Sequence, residues 1–392
     1  MTAPTLFDIR IRLVQHLLRR RGWDGILINR VDNFAMATGG KRNYVSTHCD
    51  VGACGIFVPA SGDAQYAGNA IEATRIMDEE LTSPTCSAAP FRWFDESAAD
   101  WCKARFRGNL VSDDGTLGPN VNGDLAPLRS MLLPEECDAY RALGRLAAEA
   151  MESTLGNVEA GTSENEIAAR LIYEGQRRGC QVPVSLVAAD ERIARYRHPL
   201  PTLPGTVHER KVKRYVMVVA GVIRGGLSVS LTRFKQVDTL EPGIEDAYRR
   251  ICAVDASMQE ATQPGRTLGE VFAACQDAYR HFGFAADEWH KHHQGGSTGF
   301  AGRTCKATPG EPFPCLDAAW AEDFRKGAGL ELPVATAFAW NPSAPGVKSE
   351  DTFLLHEDGR QEIISSTPGL PALDLEALLG RPTTVAKSAM LG

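Results

Sequence analysis

A chain of 392 residues is longer than one ordinary hydrophobic core supports and predicts two domains. With 43% apolar and 23% charged residues it has the composition of a globular protein, and a net charge of −7 without a basic run argues against nucleic acid or an anionic membrane as partner. No apolar stretch approaches the roughly 20 residues of a membrane span, and the opening MTAPTLFDIRIRL carries charges where a secretory signal needs an apolar run, so a cytoplasmic location is expected.

Leu6 to Arg21 places apolar residues at helical spacing, closes on a basic turn and is followed by Gly22, the pattern of an amphipathic helix with a glycine C-cap. GILINR, CGIFVPA and AQYAG then read as short strands separated by Gly, Asp and Asn turns. Asn69 to Leu81 reads as a helix and GNLVSDDG as another strand. This alternation predicts a small α/β domain over residues 1–131. Leu132-Leu133-Pro134 closes it, and a second domain is expected over 134–392. Pro134 suits the first turn of a long helix running to Leu155. A helix from Thr162 to Gly179 opens on Thr-Ser-Glu-Asn-Glu, a capping sequence. Beyond it PVSLVAAD, YVMVVAGVIRGGLSVSLTR and TFLLHEDG read as strands, with helices near 244–263 and 267–282 between them. Helix pairs with antiparallel strands predict an α+β arrangement for this second part.

The ten cysteines are scattered and contain no C-x-x-C pair, so reduced, mostly buried thiols are expected. Cys49 and Cys54 beside His48 read as packing thiols rather than metal ligands. On a strand, His290 and His292 would share a side and His293 would face the other, which argues against a local three-histidine metal site. Gly295 and Gly296 read as letting the backbone approach a ligand closely. Lys348 and Asp351 read as solvated or paired charges without a special role.

Four segments together carry a family resemblance. They are NRVDNFAMATGG with NAIEATRIMDEE, DERIARYRHPLPT, the hairpin VMVVAGVIRGGLSVSLTR, and the pair WHKHHQGGSTGFAGR and FAWNPSAPGVKSEDT. In order and spacing they resemble the creatinase/aminopeptidase P/prolidase (pita-bread) superfamily. The resemblance implies an α+β protein with a creatinase-type α/β N-terminal domain followed by a C-terminal pita-bread domain of two similar halves with a cleft between them. It also implies a homodimer in which the N-terminal domain of one subunit leans over the cleft of the other.

The metallopeptidases of this superfamily hold two metal ions with two aspartates, one histidine and two glutamates. At the matching positions this chain has Val219, Ser230, His293, Asn341 and Glu350. An isopropyl group cannot ligate a cation and a neutral hydroxyl poorly replaces a bridging carboxylate. With two of the five ligands kept, no metal and no other cofactor is expected.

His198, in Arg197-His198-Pro199, falls where the superfamily places a proton-shuttling histidine, also in its metal-free member creatinase. Imidazole suits proton transfer near neutral pH. The creatinase glutamates that would hold a guanidinium align with Thr232 and Asn341, which makes creatine a poor substrate expectation. The cleft is expected to present Ser228, Ser230, Thr232 and Asn341, the imidazoles of His198 and His293, and the acid Glu350. Arg197 and Arg303, with Arg195 and Arg233 as further candidates, would fork onto a substrate carboxylate. The segments 201–214 and 304–330 read as loops that set specificity, the second as a lid or a packed surface excursion.

The leading expectation is a metal-independent enzyme acting on a C–N bond of a small carboxylate-bearing substrate, with His198 as general acid/base, Glu350 as its helper or a proton reservoir, and Asn341 with the hydroxyls at a developing oxyanion. The alternatives are lyase or isomerase chemistry on the same fold, or a binding protein on a catalytically silent peptidase scaffold. A metal-dependent Xaa-Pro dipeptidase comes last.

Overall fold

The computed structural model describes residues 4–392, which form two compact units. The first comprises the chain up to Glu136 together with residues 225–227 and 318–334. The second comprises 137–224, 228–317 and 335–392.

The first unit opens with α1 (Leu6–Arg21), capped by the reciprocal pair Thr5 and Asp8 and ended by Gly22 at φ 69°. A side-chain cap of this kind stabilises a helix by about 1 kcal/mol. There follow β1 (Gly25–Arg30), α2 (Val31–Thr38), β2 (Val51–Pro59), β3 (Ala64–Ala67), α3 (Ala70–Arg75), β4 (Cys86–Ala88), α4 (Ala98–Arg105), β5 (Leu110–Ser112) and α5 (Ala126–Ser130). One π turn, Ile76–Glu80, prolongs α3. The strands form one mixed sheet in the order β4-β3-β2-β1-β5. Arg10 is fully buried under α1, where its guanidinium donates to Glu136 at 2.7 Å and to the carbonyls of Leu128 and Met131.

In the second unit α6 (Pro134–Leu155) and α7 (Glu164–Gln176) precede β6 (Gln181–Ala189), α8 (Glu191–Arg195), β7 (Tyr215–Arg224) and β8 (Leu227–Gln236). Ser163 and Glu166 form the capping box that the sequence announces for α7. β6, β7 and β8 make a three-stranded sheet. Gly225 and Gly226, both at positive φ, turn β7 into β8, a conformation two L side chains would resist. The helices α9 (Ile244–Ala261) and α10 (Leu268–His281) lead to β9 (Gly295–Thr298) and β10 (Cys305–Lys306). After α11 (Ala318–Ala328) come β11 (Ala335–Trp340), the small hairpin β12 (Ser343–Ala344) and β13 (Val347–Lys348), β14 (Asp351–His356), β15 (Gln361–Ile363) and α12 (Glu376–Leu379). A second sheet runs β10-β9-β11-β14-β15, all antiparallel. One apolar core, including Met217, Val219, Phe234, Phe338, Trp340 and Phe353, joins these strands to α9 and α10.

Three local expectations change. Glu288–Lys291 is a 3-10 turn and only Gly295–Thr298 is strand, so strand alternation does not govern the histidines. A Cβ on Gly295 would sit 2.2 Å from the Ala339 carbonyl oxygen, and one on Gly296 1.9 Å from that of Cys305, so these glycines admit neighbouring strands rather than a ligand. The segment 304–330 is no open loop: it contains α11, which belongs to the first unit, where His16 lies 3.0 Å from Asp323 and packs edge-on against Phe324. None of the ten cysteines forms a disulfide and eight are buried. Among the described residues no helix is long and apolar enough to cross a membrane.

Candidate active site

β8 carries the first wall of the site. Side chains alternate along a strand, so Ser228, Ser230 and Thr232 share one face. Thr232 Oγ1 donates to Glu350 Oε2 at 2.9 Å, and Ser230 Oγ accepts from Arg303 Nη1 at 3.3 Å. Ser228 stands apart from that contact set: its carbonyl accepts from Tyr140 and Thr298, fixing the strand edge.

Glu350, just after β13, is the hub. Arg303 Nη2 donates to its Oε1 at 2.8 Å, Asn341 Nδ2 lies 3.5 Å from the same oxygen, and Lys348 Nζ is 3.9 Å from Oε2. One carboxylate thus serves two cations. Lys348, expected to be unremarkable, is 2% exposed, and its ammonium has no carboxylate oxygen nearer than Glu350 Oε2 among the described residues. Burial drives its ammonium below the ordinary lysine range, Glu350 opposes that shift, and Arg303 and Arg197 add to it.

Three imidazoles line the other side. His198 follows α8 and is exposed, while His292 and His293 follow the 3-10 turn, His292 buried and His293 half-buried. His198 Nε2 and His292 Nε2 are 3.0 Å apart, so one ring donates to the other. His292 and His293 stack at 4.4 Å between centroids. All three are held below the usual imidazole range, first by burial and then by surrounding cations: Lys348 for His198 and His292, Arg303 for His293, which falls to about 4. They are neutral bases at neutral pH. His290 is not part of the cluster; its ring packs on Trp289.

Several buried polar atoms here lack any hydrogen-bond partner: His292 Nδ1, His293 Nδ1, Asn341 Oδ1, Arg303 Nε and Arg197 Nη1. Each costs about 1–3 kcal/mol if left so. Arg197 is otherwise ion-paired with Glu288. Arg195 lies by the ring of Tyr196. Arg233 is not a substrate fork: it is 2% exposed and spends its donors on Asp351, Thr367 and the carbonyls of Thr232, Glu350 and Ser365. Asp351 is accordingly paired.

The model of metallopeptidase family M24 matches residues 138–356, more than half of the chain. The chain belongs to metallopeptidase family M24. It is a member of the creatinase/aminopeptidase P/prolidase superfamily, with the two-part α+β architecture that membership implies. A dipeptidase PepE from Mycobacterium ulcerans superimposes with a TM-score of 0.70 at 17% identity, covering 92% of this chain and 96% of its own. The prolidase from Pyrococcus furiosus gives 0.68 at 15% identity, with 90% and 99% covered. The N-terminal domain of the FACT complex subunit SPT16 from chickpea, Cicer arietinum, gives 0.62 at 10% identity, with 92% and 96% covered. At these identities the likenesses establish the fold. No curated protein matches the chain in sequence.

The family's paired metal ions do not fit the M24 positions of this chain. Val219 is 4% exposed within the apolar core and offers no ligand atom. Ser230 and Asn341 are neutral, and both Glu350 oxygens are taken by Arg303 and Thr232. His198, His292 and His293 have nitrogens within 4.8 Å of one another, the donor type zinc or iron accepts. A dication among them would lie in the field of Lys348, Lys306, Arg303 and Arg197, which already depresses protonation of the same rings.

Proposed function

We propose that this M24 protein is a metal-independent hydrolase of a C–N bond in a small carboxylate-bearing substrate, an amide, amidine or imino-acid-like molecule. Membership in a peptidase family supports hydrolysis of a C–N bond in general terms. The finer reading rests on one observation: neutral imidazoles in hydrogen-bond contact lie near a single carboxylate held by cations, Glu350, while Val219, Ser230 and Asn341 stand where three further carboxylates are expected.

In this reading His198 accepts a proton from water as the water attacks the trigonal carbon, and returns it to the departing nitrogen. The short contact to His292 fixes the ring and its tautomer. Asn341 and Ser230, whose hydroxyl accepts from Arg303 and keeps its own proton, surround the developing oxyanion, while Thr232 spends its proton on Glu350. Glu350 acts by holding Arg303 and Lys348 in place, a better match to its contacts than carrying a proton. His293 and Ser228 shape the wall. Arg303, with the spare nitrogen of Arg197, takes the substrate carboxylate. The working unit is a cytoplasmic homodimer. The exposed Trp93 and Phe94 of the N-terminal unit, and Leu200, Leu203 and Val207 of the segment after His198, are apolar surface such an assembly would cover.

The test is amine release from a panel of N-acyl and N-amidino amino acids and Xaa-Pro dipeptides, with chelator present. Turnover that survives chelator and disappears in His198→Gln supports the proposal. Cleavage only after manganese, zinc or cobalt is added overturns it. Saturable binding of panel members with no turnover in either condition would instead favour the silent-scaffold alternative.

A further inference from the structure

Charge in this cleft does not balance. Arg197 is answered by Glu288, and Lys291 by Asp287 at 3.6 Å and Glu288 at 3.1 Å. Three cations then remain, Arg303, Lys348 and Lys306, against the single carboxylate of Glu350. The Lys348 side chain is held in the interior with its ammonium 3.9 Å from Glu350 Oε2, beyond hydrogen-bond distance. Lys306, at the end of β10, pairs across the ladder with Gly296, three residues beyond His293, and is exposed without an ion pair among the described residues; it is one of the cations that hold His198 and His293 below the usual imidazole range. The surplus positive charge is therefore placed at two depths: one unit inside, shared by Lys348 and Arg303 across Glu350, and one outside at Lys306.

We infer that the cleft recognises a small dianion, a dicarboxylate skeleton with one carboxylate on the Lys348–Arg303 pair and the second on Lys306. This deepens, and rests on, the reading of the site as one for a carboxylate-bearing substrate. A buried ammonium with no acceptor within hydrogen-bond distance is costly, and a bound carboxylate removes that cost. It also supplies acceptors for Arg303 Nε, which is buried without a partner. A monoanion would leave Lys306 facing only water and would forgo that contact. The bond to be cleaved would then lie between the two anchors, beside His198, which stands at the exposed end of the imidazole row.

The test is calorimetric binding of glutarate, of butyrate and of glutaramide to the whole protein at low salt. Glutarate should bind about tenfold more tightly than butyrate, the worth of one charge-assisted contact, and glutaramide should not bind measurably. Lys306→Ala should bring glutarate to the level of butyrate and leave butyrate unchanged. Lys348→Met should weaken both, with circular dichroism checking its fold; Lys306→Ala alters only an exposed residue and keeps the test open if Lys348→Met fails to fold. Equal affinity for glutarate and butyrate, absence of binding by both, or a preference unchanged in Lys306→Ala overturns the inference. The readout needs no turnover, so His198→Gln protein binding glutarate normally would preserve the dianion site even where the hydrolytic reading fails.

Discussion

His198 Nε2 and His292 Nε2 meet at 3.0 Å across 94 residues of sequence, and neither ring is charged at neutral pH. Two neutral imidazoles in contact make a proton-accepting pair. His198→Gln should lower turnover by about two to four decades, with little change in thermal stability because the side chain is exposed. His292→Ala should lower kcat more modestly and shift the acid limb of the rate profile, since it removes the partner that fixes the ring. Rates on the same substrate across pH check both. An unchanged His198→Gln rate would remove this histidine from the mechanism.

The pH dependence follows from the sign of the shifts. The native pKa values of His198, His292 and His293 all lie below the value of 6.5 that each ring has when free. Between that value and the lower native one the unfolded chain binds more protons, so stability falls as pH falls. For His293 the window runs from 6.5 down to about 4. The melting temperature should decline from pH 7 to pH 4, and less so in His293→Asn. The acid limb of activity should lie below pH 6.5, because a base with a depressed pKa keeps its lone pair into mild acid.

Metal dependence is where the proposed function parts from the metallopeptidases of the family. Protein purified without chelator and offered manganese, zinc, iron or cobalt should retain well under one equivalent after dialysis, measured by elemental analysis. Near two equivalents per chain would mean that side chains other than those at the M24 positions supply the ligands. One equivalent, lost in His292→Ala, would place it on the three histidines instead.

Arg233 and Asp351 form a buried ion pair at 2.6 Å beneath the site. Arg233→Met leaves Asp351 facing only part of its former partners, and breaking such a pair costs roughly 3–5 kcal/mol. The denaturant midpoint should fall accordingly. KM of the protein that remains folded should be unchanged, whereas Arg303→Met should raise KM with a far smaller stability cost.

The amphipathic helices, the capped starts and the glycine hairpin were legible because each is specified by neighbours in sequence, as Leu6 to Arg21 with Gly22 and Ser163 with Glu166 illustrate. Missing carboxylates were legible too, since Val219 and Ser230 interrupt an otherwise familiar run. The environment of Lys348 was not: its burial and its two guanidinium neighbours come from segments 45 and 151 residues away in sequence, Arg303 and Arg197. The contact of His198 with His292 was hidden for a similar reason, together with a strand assumed where the chain makes a 3-10 turn. Arg233 looked like its neighbours on the pattern alone, and only the third dimension turned it inward.

The membership of α11 in the first unit has a consequence for biosynthesis. The segment 318–334 leaves the ribosome after residues 137–224 and 228–317 of the second unit, yet it supplies the partner that His16 and Arg20 of α1 meet in Asp323. The nascent N-terminal unit therefore waits, with that flank of α1 uncovered, until the chain has passed residue 334. A gene fragment ending near residue 131 would encode a permanently unfinished version of it, with the flank of α1 that carries His16 and Arg20 left without its partner.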